Sequence, residues 1–450
     1  MRILSSLLVS ASLFANGALA AVNAETQARL GKDLTPVGAE QAGNKAGSIP
    51  AWTGGLGNDA GKELDNNFLE NPFAEEAPLF VITRQNLAQY RGFLTPGQMA
   101  LFERYETFSM PIYPTHRSAR LPQHLYDDAK YNAAHTALVE SGNGLNNFRG
   151  ATPFPVPQNA LEAVWNHLTR YRGGSAKRTH VQATPLEDGS FIPVTFRQEF
   201  AFRNVMAGYN ENVGDEILFY YKQLVTGPAR LAGDIILVHE PINQVKNPRM
   251  AWMYNTGQRR VRRAPQIAYD GPYPASEGQR VADNLDMFNG AVDRYDWTLV
   301  GKKEIYIPYN SYKLESPDVK YKDLVHAGHL NPDYTRYELH RVWVVEANLK
   351  ESQRHVYDRR VFYIDEDTWQ ISLADHYDGR GELWRVAMGH AVQLYHVDVP
   401  WLGVEVLHDL INGRYIASGM RNEESNSLTF GTEASASDYT PAALRFTAKR

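Results

Sequence analysis

The sequence predicts an α+β fold whose body is one large antiparallel sheet, curved into a half-barrel. Three observations carry this. Runs rich in Val, Ile, Tyr, Phe and Trp follow one another at strand length over the second half of the chain. Short polar turns, Asp365-Glu366-Asp367 and Asp378-Gly379-Arg380-Gly381, separate the later runs, as in an antiparallel meander. Ahead of them, residues 21–157 are cut by proline and glycine into pieces too short for long elements.

In chain order, Met1-Arg2, the serine-diluted apolar stretch Ile3–Phe14 and Ala18-Leu19-Ala20 form a secretory signal, with cleavage expected after Ala20. The stretch is too short and too broken to span a bilayer. No cysteine follows it for lipid attachment, so the mature chain is expected in a bacterial periplasm. Residues 21–157 are expected to wrap the sheet, with helices at Ala24–Leu34, Thr83–Phe93 and Thr95–Phe108. Thr95-Pro96 supplies an N-cap followed by proline at the first helical position.

Residues 158–420 are expected to form the half-barrel domain. Asn159–Arg172 places Leu161, Val164, Trp165, Leu168 and Tyr171 on one apolar stripe, and Gly173-Gly174 ends it. A second covering helix is expected at Gly214–Thr226. Strands are expected at Phe191–Phe202, Leu231–Glu240 and Ala251–Arg263, the last folded at Thr256-Gly257. Trp297–Tyr309, Tyr337–Leu349, His355–Asp365, Trp369–Tyr377 and Glu382–His390 continue the series. Residues 421–450 read as a polar, loosely held tail.

Composition narrows the function. The 450 residues are 43% hydrophobic and include no cysteine, which excludes a cysteine-ligated zinc site, an iron–sulfur cluster and a thiol nucleophile. The formal net charge of -5 lacks the basic surplus of a nucleic-acid binder. The G-x-S-x-G, H-E-x-x-H, G-x-x-x-x-G-K and G-x-G-x-x-G spacings are all missing, so no catalytic residue is assigned and no cofactor is implied. His326 with His329, and His376 with His390 and His396, lack a carboxylate at a ligand-like offset and read as turn or strand-surface residues. Asp365, Glu366, Asp367, Asp375 and Asp378 read as turn formers between strands.

Two features point to a ligand. On a strand, Arg260 and Arg262 share one face, where guanidinium forks suit an anionic head group. The competing reading is an edge strand protected from pairing by charge. Trp343 and Trp384, placed on adjacent strands of the meander, are candidates to meet a hydrophobic molecule. Trp343, Val345, Phe362 and Ile364 alternate with Val342, Val344, Val361 and Tyr363, so this sheet is apolar on both faces. Helices can cover one face; the wrapping segment or a hydrophobic ligand must cover the other.

Several blocks also carry a family resemblance. They are Gly31-Lys32-Asp33-Leu34-Thr35-Pro36-Val37-Gly38-Ala39-Glu40, Ile49-Pro50-Ala51-Trp52-Thr53-Gly54-Gly55 and Tyr113-Pro114-Thr115-His116-Arg117. Tyr254–Arg263, Asp286-Met287-Phe288-Asn289-Gly290 and His376–Arg385 complete the set. Together the chain resembles a Gram-negative family of unknown function described as outer-membrane lipoprotein-sorting-like. The resemblance implies the fold of the periplasmic lipoprotein carrier and its receptor, an incomplete barrel with a helical lid over an apolar concavity. It also implies work beside a resistance–nodulation–division-type transporter and an outer-membrane protein.

The function expected is therefore a periplasmic binding or carrier protein for a lipid or other hydrophobic molecule. A structural partner of an envelope transporter, its concavity filled by its own chain, is the alternative. A hydrolase with a dispersed site is a third.

Overall fold

A computed structural model describes residues 22–209, 216–267 and 269–447. The signal sequence expected at residues 1–20 lies outside them.

The N-terminal segment contributes strands β1 (Phe80–Ile82) and β2 (Met110–Ile112), and a separate small hairpin, β3 (Ala137–Val139) with β4 (Gly144–Asn146). The first half of the main sheet is β5 (Ser175–Ala183), β6 (Val194–Phe202), β7 (Ile217–Gly227), β8 (Ile235–Pro241), β9 (Met250–Asn255) and β10 (Arg260–Arg263). The second half is β11 (Tyr295–Pro308), β12 (Tyr337–Leu349), β13 (Arg359–Asp365), β14 (Ile371–Tyr377), β15 (Leu383–Leu394), β16 (Val399–Asp409) and β17 (Tyr415–Met420). Strand β18 (Leu428–Phe430) follows.

These strands make one 16-stranded sheet in the order β1-β2-β12-β13-β14-β15-β16-β17-β5-β6-β7-β8-β9-β10, with β11 beside β12 and β18 beside β5. The two meanders join where β17 pairs antiparallel with β5, Ala417 opposite Ala183. The path ends at β10 and does not close.

The sheet is strongly curved. Trp401 on β16 and Phe200 on β6 are three strand spacings apart, roughly 14 Å along a flat sheet. Their rings nevertheless stack with centroids 6.3 Å apart and an interplanar angle of 17°. Only a sheet bent toward that face brings them together.

Both faces are apolar, and the chain covers both over β12–β15. On the convex side Val342, Val344, Val361, Tyr363, Leu373 and Met388 pack against Ile82, Leu94, Leu101, Phe102 and Met110 of the N-terminal segment. On the concave side Val345, Phe362, Ile364 and Ala387 pack against Ala163, Val164, Trp165 and Leu168 of the helix Ala160–Thr169. The wrapping segment thus performs one of the two roles left open by the strand pattern.

Several sequence expectations are corrected. The helix expected at 24–34 is one turn, Ala24–Gln27, and that at 83–93 is two 3-10 turns. The helix expected from Thr95 is Pro96–Arg104, with Thr95 in a capping box with Gln98. The helix Gln123–His135 was not anticipated. The second covering helix is absent, because its residues from Ile217 onward form β7. That strand lies between β6 and β8 and is buried on both faces, so its continuous apolar run imitates the pattern of a buried helix. Beyond residue 420, β18 pairs with β5, and Arg421, Asn422, Ser427, Tyr439 and Leu444 are buried.

Candidate functional site

With β7 a strand, a single long helix covers the concave face, and a cavity remains over the β16-β17-β5-β6-β7 portion. It encloses about 790 Å³ of empty space with its open mouth included, of which the centres of water-sized molecules can occupy about 70 Å³. Cross-strand register builds its floor in rows. Arg178 on β5 lies opposite Gln198 on β6, which lies opposite Gln223 on β7. The next row is Ala176, Phe200 and Tyr221, and Phe202 opposite Phe219 follows. Two-residue alternation points Arg178 and His180 the same way, and Phe200 with Phe202. Trp401, Gly403 and Glu405 from β16 form one wall. Arg172, just after the covering helix, and Arg280, Leu285, Asp286 and Asn289 form the other.

The cavity is therefore amphipathic. Phe200, Phe202, Phe219, Leu285 and Trp401 supply an apolar surface, and three arginines, Arg172, Arg178 and Arg280, stand around it. Asp286 is held by Arg170 through Oδ1 and by Arg172 through Oδ2, the latter at 2.5 Å. Burial raises the Asp286 carboxyl, but the two guanidinium groups outweigh it and hold it down at about 2. Glu405 accepts from the Asp286 and Met287 backbone N–H groups, each at 3.2 Å, and faces Arg280 at 3.5 Å. Asp286 and Met287 both have left-handed backbone, φ 59° and 68°, which turns these two N–H groups onto one carboxylate.

His167 of the covering helix fixes this loop. Its Nε2–H donates to the carbonyls of Phe288 at 3.0 Å and Asp286 at 3.1 Å. Its Nδ1 accepts from the Ile371 N–H at 3.1 Å. Burial, reinforced by Arg170, pushes the ring down to about 3, so it is neutral.

The four residues singled out in the sequence do not line this cavity. Trp343 is half-buried at the margin of the concave-side core, stacked on Trp369 at 6.4 Å with Lys302 over its face at 4.8 Å. Trp384 donates to Asp409 at 2.9 Å. The two tryptophans are not on adjacent strands, since β13 and β14 lie between theirs. Arg260 and Arg262 are exposed on β10, at the end of the sheet. The cavity residues were missed because Arg178, His180 and Gln182 alternate on β5 as a solvated face would. The available signal was the aromatic alternation Phe200, Phe202 and Phe219, Tyr221 on the strands beside them.

The acidic run lies at the end of β13 and in the turn to β14, as turn formers between strands should, and Asp365, Glu366 and Asp367 are buried there. Arg117 grips Asp367 with two bonds of 2.9 and 2.6 Å, and Lys302 meets Glu366 at 2.6 Å. This network ties the N-terminal segment to the β13–β14 turn. His340, Asp365 and Asp367 offer ligand atoms within 4.8 Å of one another, but both Asp367 oxygens are already engaged by Arg117. The cluster works as internal ion pairing. His329, His376 and His390 are buried as well.

The architecture defines an open, curved α+β sheet protein with an amphipathic cavity on its concave face. The chain belongs to the family described as Protein of unknown function (DUF1329), whose pattern matches residues 81–445. It is 60% identical over 435 residues to Uncharacterized protein PA3922 of Pseudomonas aeruginosa, covering 96% of each chain. Among solved structures it is similar to a DUF1329 family protein from Desulfovibrio piger, at 14% identity and TM-score 0.42, covering 60% of this chain and 92% of that one. It is also similar to the LolA superfamily protein NE2245 from Nitrosomonas europaea, at 11% identity and TM-score 0.38, covering 63% and 98%. Among the described residues no helix is long and apolar enough to cross a membrane.

Proposed function

We propose that this protein binds a lipid or other hydrophobic molecule in the periplasm, as a carrier or receptor, with the ligand in the cavity over β5–β7 and β16. The observation that carries this reading is the aromatic lining, Phe200, Phe202 and Phe219 from the paired strands β6 and β7, with Trp401 brought onto them by sheet curvature. Such a lining around a few polar groups suits a molecule with an apolar body and one polar end. The cavity has an open mouth, so with the polar end seated inside a longer chain runs out through it. The A-x-A site at Ala18–Ala20 supports export. An envelope transporter and an outer-membrane protein are the partners we propose on either side of this step.

The test is displacement of N-phenyl-1-naphthylamine from the purified protein. Wild type should bind the dye, and Trp401→Ala should weaken it several-fold, in line with about 1 kcal/mol for a lost aromatic contact. Trp343→Ala, which leaves the cavity intact, should bind as wild type while losing stability. A second reading, a structural partner of a transporter, draws on the helix Ala160–Thr169 filling the concave face over β12–β15. Dye binding that is absent, or unaltered by Trp401→Ala, selects that reading.

A further inference from the structure

We infer that the cavity seats the acidic head group of its ligand, a carboxylate or a phosphate, on Arg178 and His180. The inference rests on the binding role proposed above and names the ligand class that the site takes.

The charge pairing inside the cavity is incomplete. Asp286 spends one oxygen on Arg170 and the other on Arg172. Glu405 spends its oxygens on two backbone N–H groups and on Arg280. Four guanidinium groups thus share two carboxylates, and neither carboxylate has an oxygen left over. Among the described residues Arg178 has no carboxylate within 4 Å; its hydrogen-bond partner is the neutral side-chain oxygen of Gln198, and its guanidinium lies 5.4 Å from the Trp401 ring centre. Arg178 is half-buried at the cavity wall, and a guanidinium partly withdrawn from water without a counter-charge is a ready seat for an anion.

His180 is the second, independent observation. It is 3% exposed, lies two residues along the same face of β5, and lines the same cavity. Neither ring nitrogen meets a partner in hydrogen-bond geometry, a marginal contact with the Val181 backbone aside. Its ring is held by stacking on Phe196, centroids 5.3 Å apart. Buried polar groups are as a rule hydrogen-bonded, so an imidazole with both nitrogens free at a cavity wall points to a group that is bound there. Nε2–H or Nδ1–H and the Arg178 fork are donors, which an oxyanion accepts from and a further cation does not. The aromatic side chains of Phe200 and Trp401 stand next to Arg178, where the first carbons of an alkyl chain would lie.

The class of ligand follows: an amphipathic monoacid, either a fatty carboxylate or an alkyl phosphate, with the acid inward and the chain toward the mouth. Calorimetric titration of the wild-type protein with decanoate, decyl phosphate and decanol tests this. One or both acids should bind about tenfold or more tighter than the alcohol, because charge-assisted hydrogen bonds are lost with the acid. Preference for decanoate or for decyl phosphate assigns the head group as carboxylate or phosphate, and either result supports the seat. Arg178→Gln should remove the preference for acid, so that the acids and decanol bind this variant alike, whereas Arg260→Gln with Arg262→Gln should keep the wild-type preference. Equal affinity of the acids and the alcohol for wild type overturns the acid seat while leaving a hydrophobic ligand in place. Failure of all three to bind overturns the binding role itself. A preference that survives Arg178→Gln also overturns the assignment. Because the decisive comparison uses wild type alone, a variant that misfolds does not protect the proposal.

Discussion

His167→Gln should weaken the fold by an amount that shrinks as the pH falls. His167 ties the covering helix to the Asp286–Phe288 loop and to the start of β14 through three hydrogen bonds to backbone. A glutamine can remake part of this set, and each buried group left unpaired costs about 1–3 kcal/mol, so a loss of about 2–4 kcal/mol is expected at pH 7.5. The pH term has the opposite direction. Burial holds the ring at about 3 in the fold, against an ordinary value of 6.5. The unfolded chain therefore takes up the proton first, and the contribution of neutral His167 is present above pH 6.5 and lost as the pH falls toward 3. Between pH 7.5 and pH 5.5 that loss is about 1.4 kcal/mol for wild type and is missing from the variant. Urea unfolding of both proteins at the two pH values measures it. The gap between them should narrow by about 1.4 kcal/mol at the lower pH. A gap that stays constant, or widens, would show that His167 is not a neutral buried tie and would undo the account of how the cavity wall is held.

Two further predictions concern the convex face and the edge. Gly97→Ala should destabilise the protein by about 1–3 kcal/mol, the range for overpacking a tight site, read as a lower urea midpoint. A Cβ there would fall 2.0 Å from Asp375 Oδ1 and 2.8 Å from Val386 Cγ1, breaking the seat of the helix Pro96–Arg104 on β14 and β15. Arg260→Gln with Arg262→Gln should leave the melting temperature within a degree or two, since both side chains are exposed, but should increase concentration-dependent association in sedimentation because the edge strand β10 loses two of its three charges.

The later meander was legible in the sequence for a physical reason. Between Tyr337 and Tyr377 each strand is a β-branched and aromatic run of strand length, and its turn is a cluster of turn-forming residues. Tyr337–Leu349 matches its observed strand at both ends. Thr95-Pro96 likewise marked a helix start through local backbone preference alone, whereas the helix expected to run to Arg172 ends at Thr169 with Arg170 as its cap, so Gly173-Gly174 leads into β5 and does not end the helix. β5 and β17 were not anticipated, because small and polar residues such as Ala176, Ser418 and Gly419 carry little strand signal of their own. They become strands by pairing with each other across the chain, as Ala417 does with Ala183.

By itself the sequence determined the chemistry available: an antiparallel sheet apolar on both faces, an amphipathic covering helix after Asn159, no cysteine, and the blocks of a DUF1329 chain. Only the tertiary structure decided which residues share a site. A two-residue period says which side chains share a face of one strand, but says nothing about curvature. It is curvature that stacks Trp401 on Phe200 across three strand spacings. Nor does the period say which charged residues find partners. Arg170, Arg172 and Arg280 are matched by Asp286 and Glu405, residues more than a hundred positions away, while Arg178 is left over. The site is a remainder of long-range pairing, so it becomes visible only once every pair has been made.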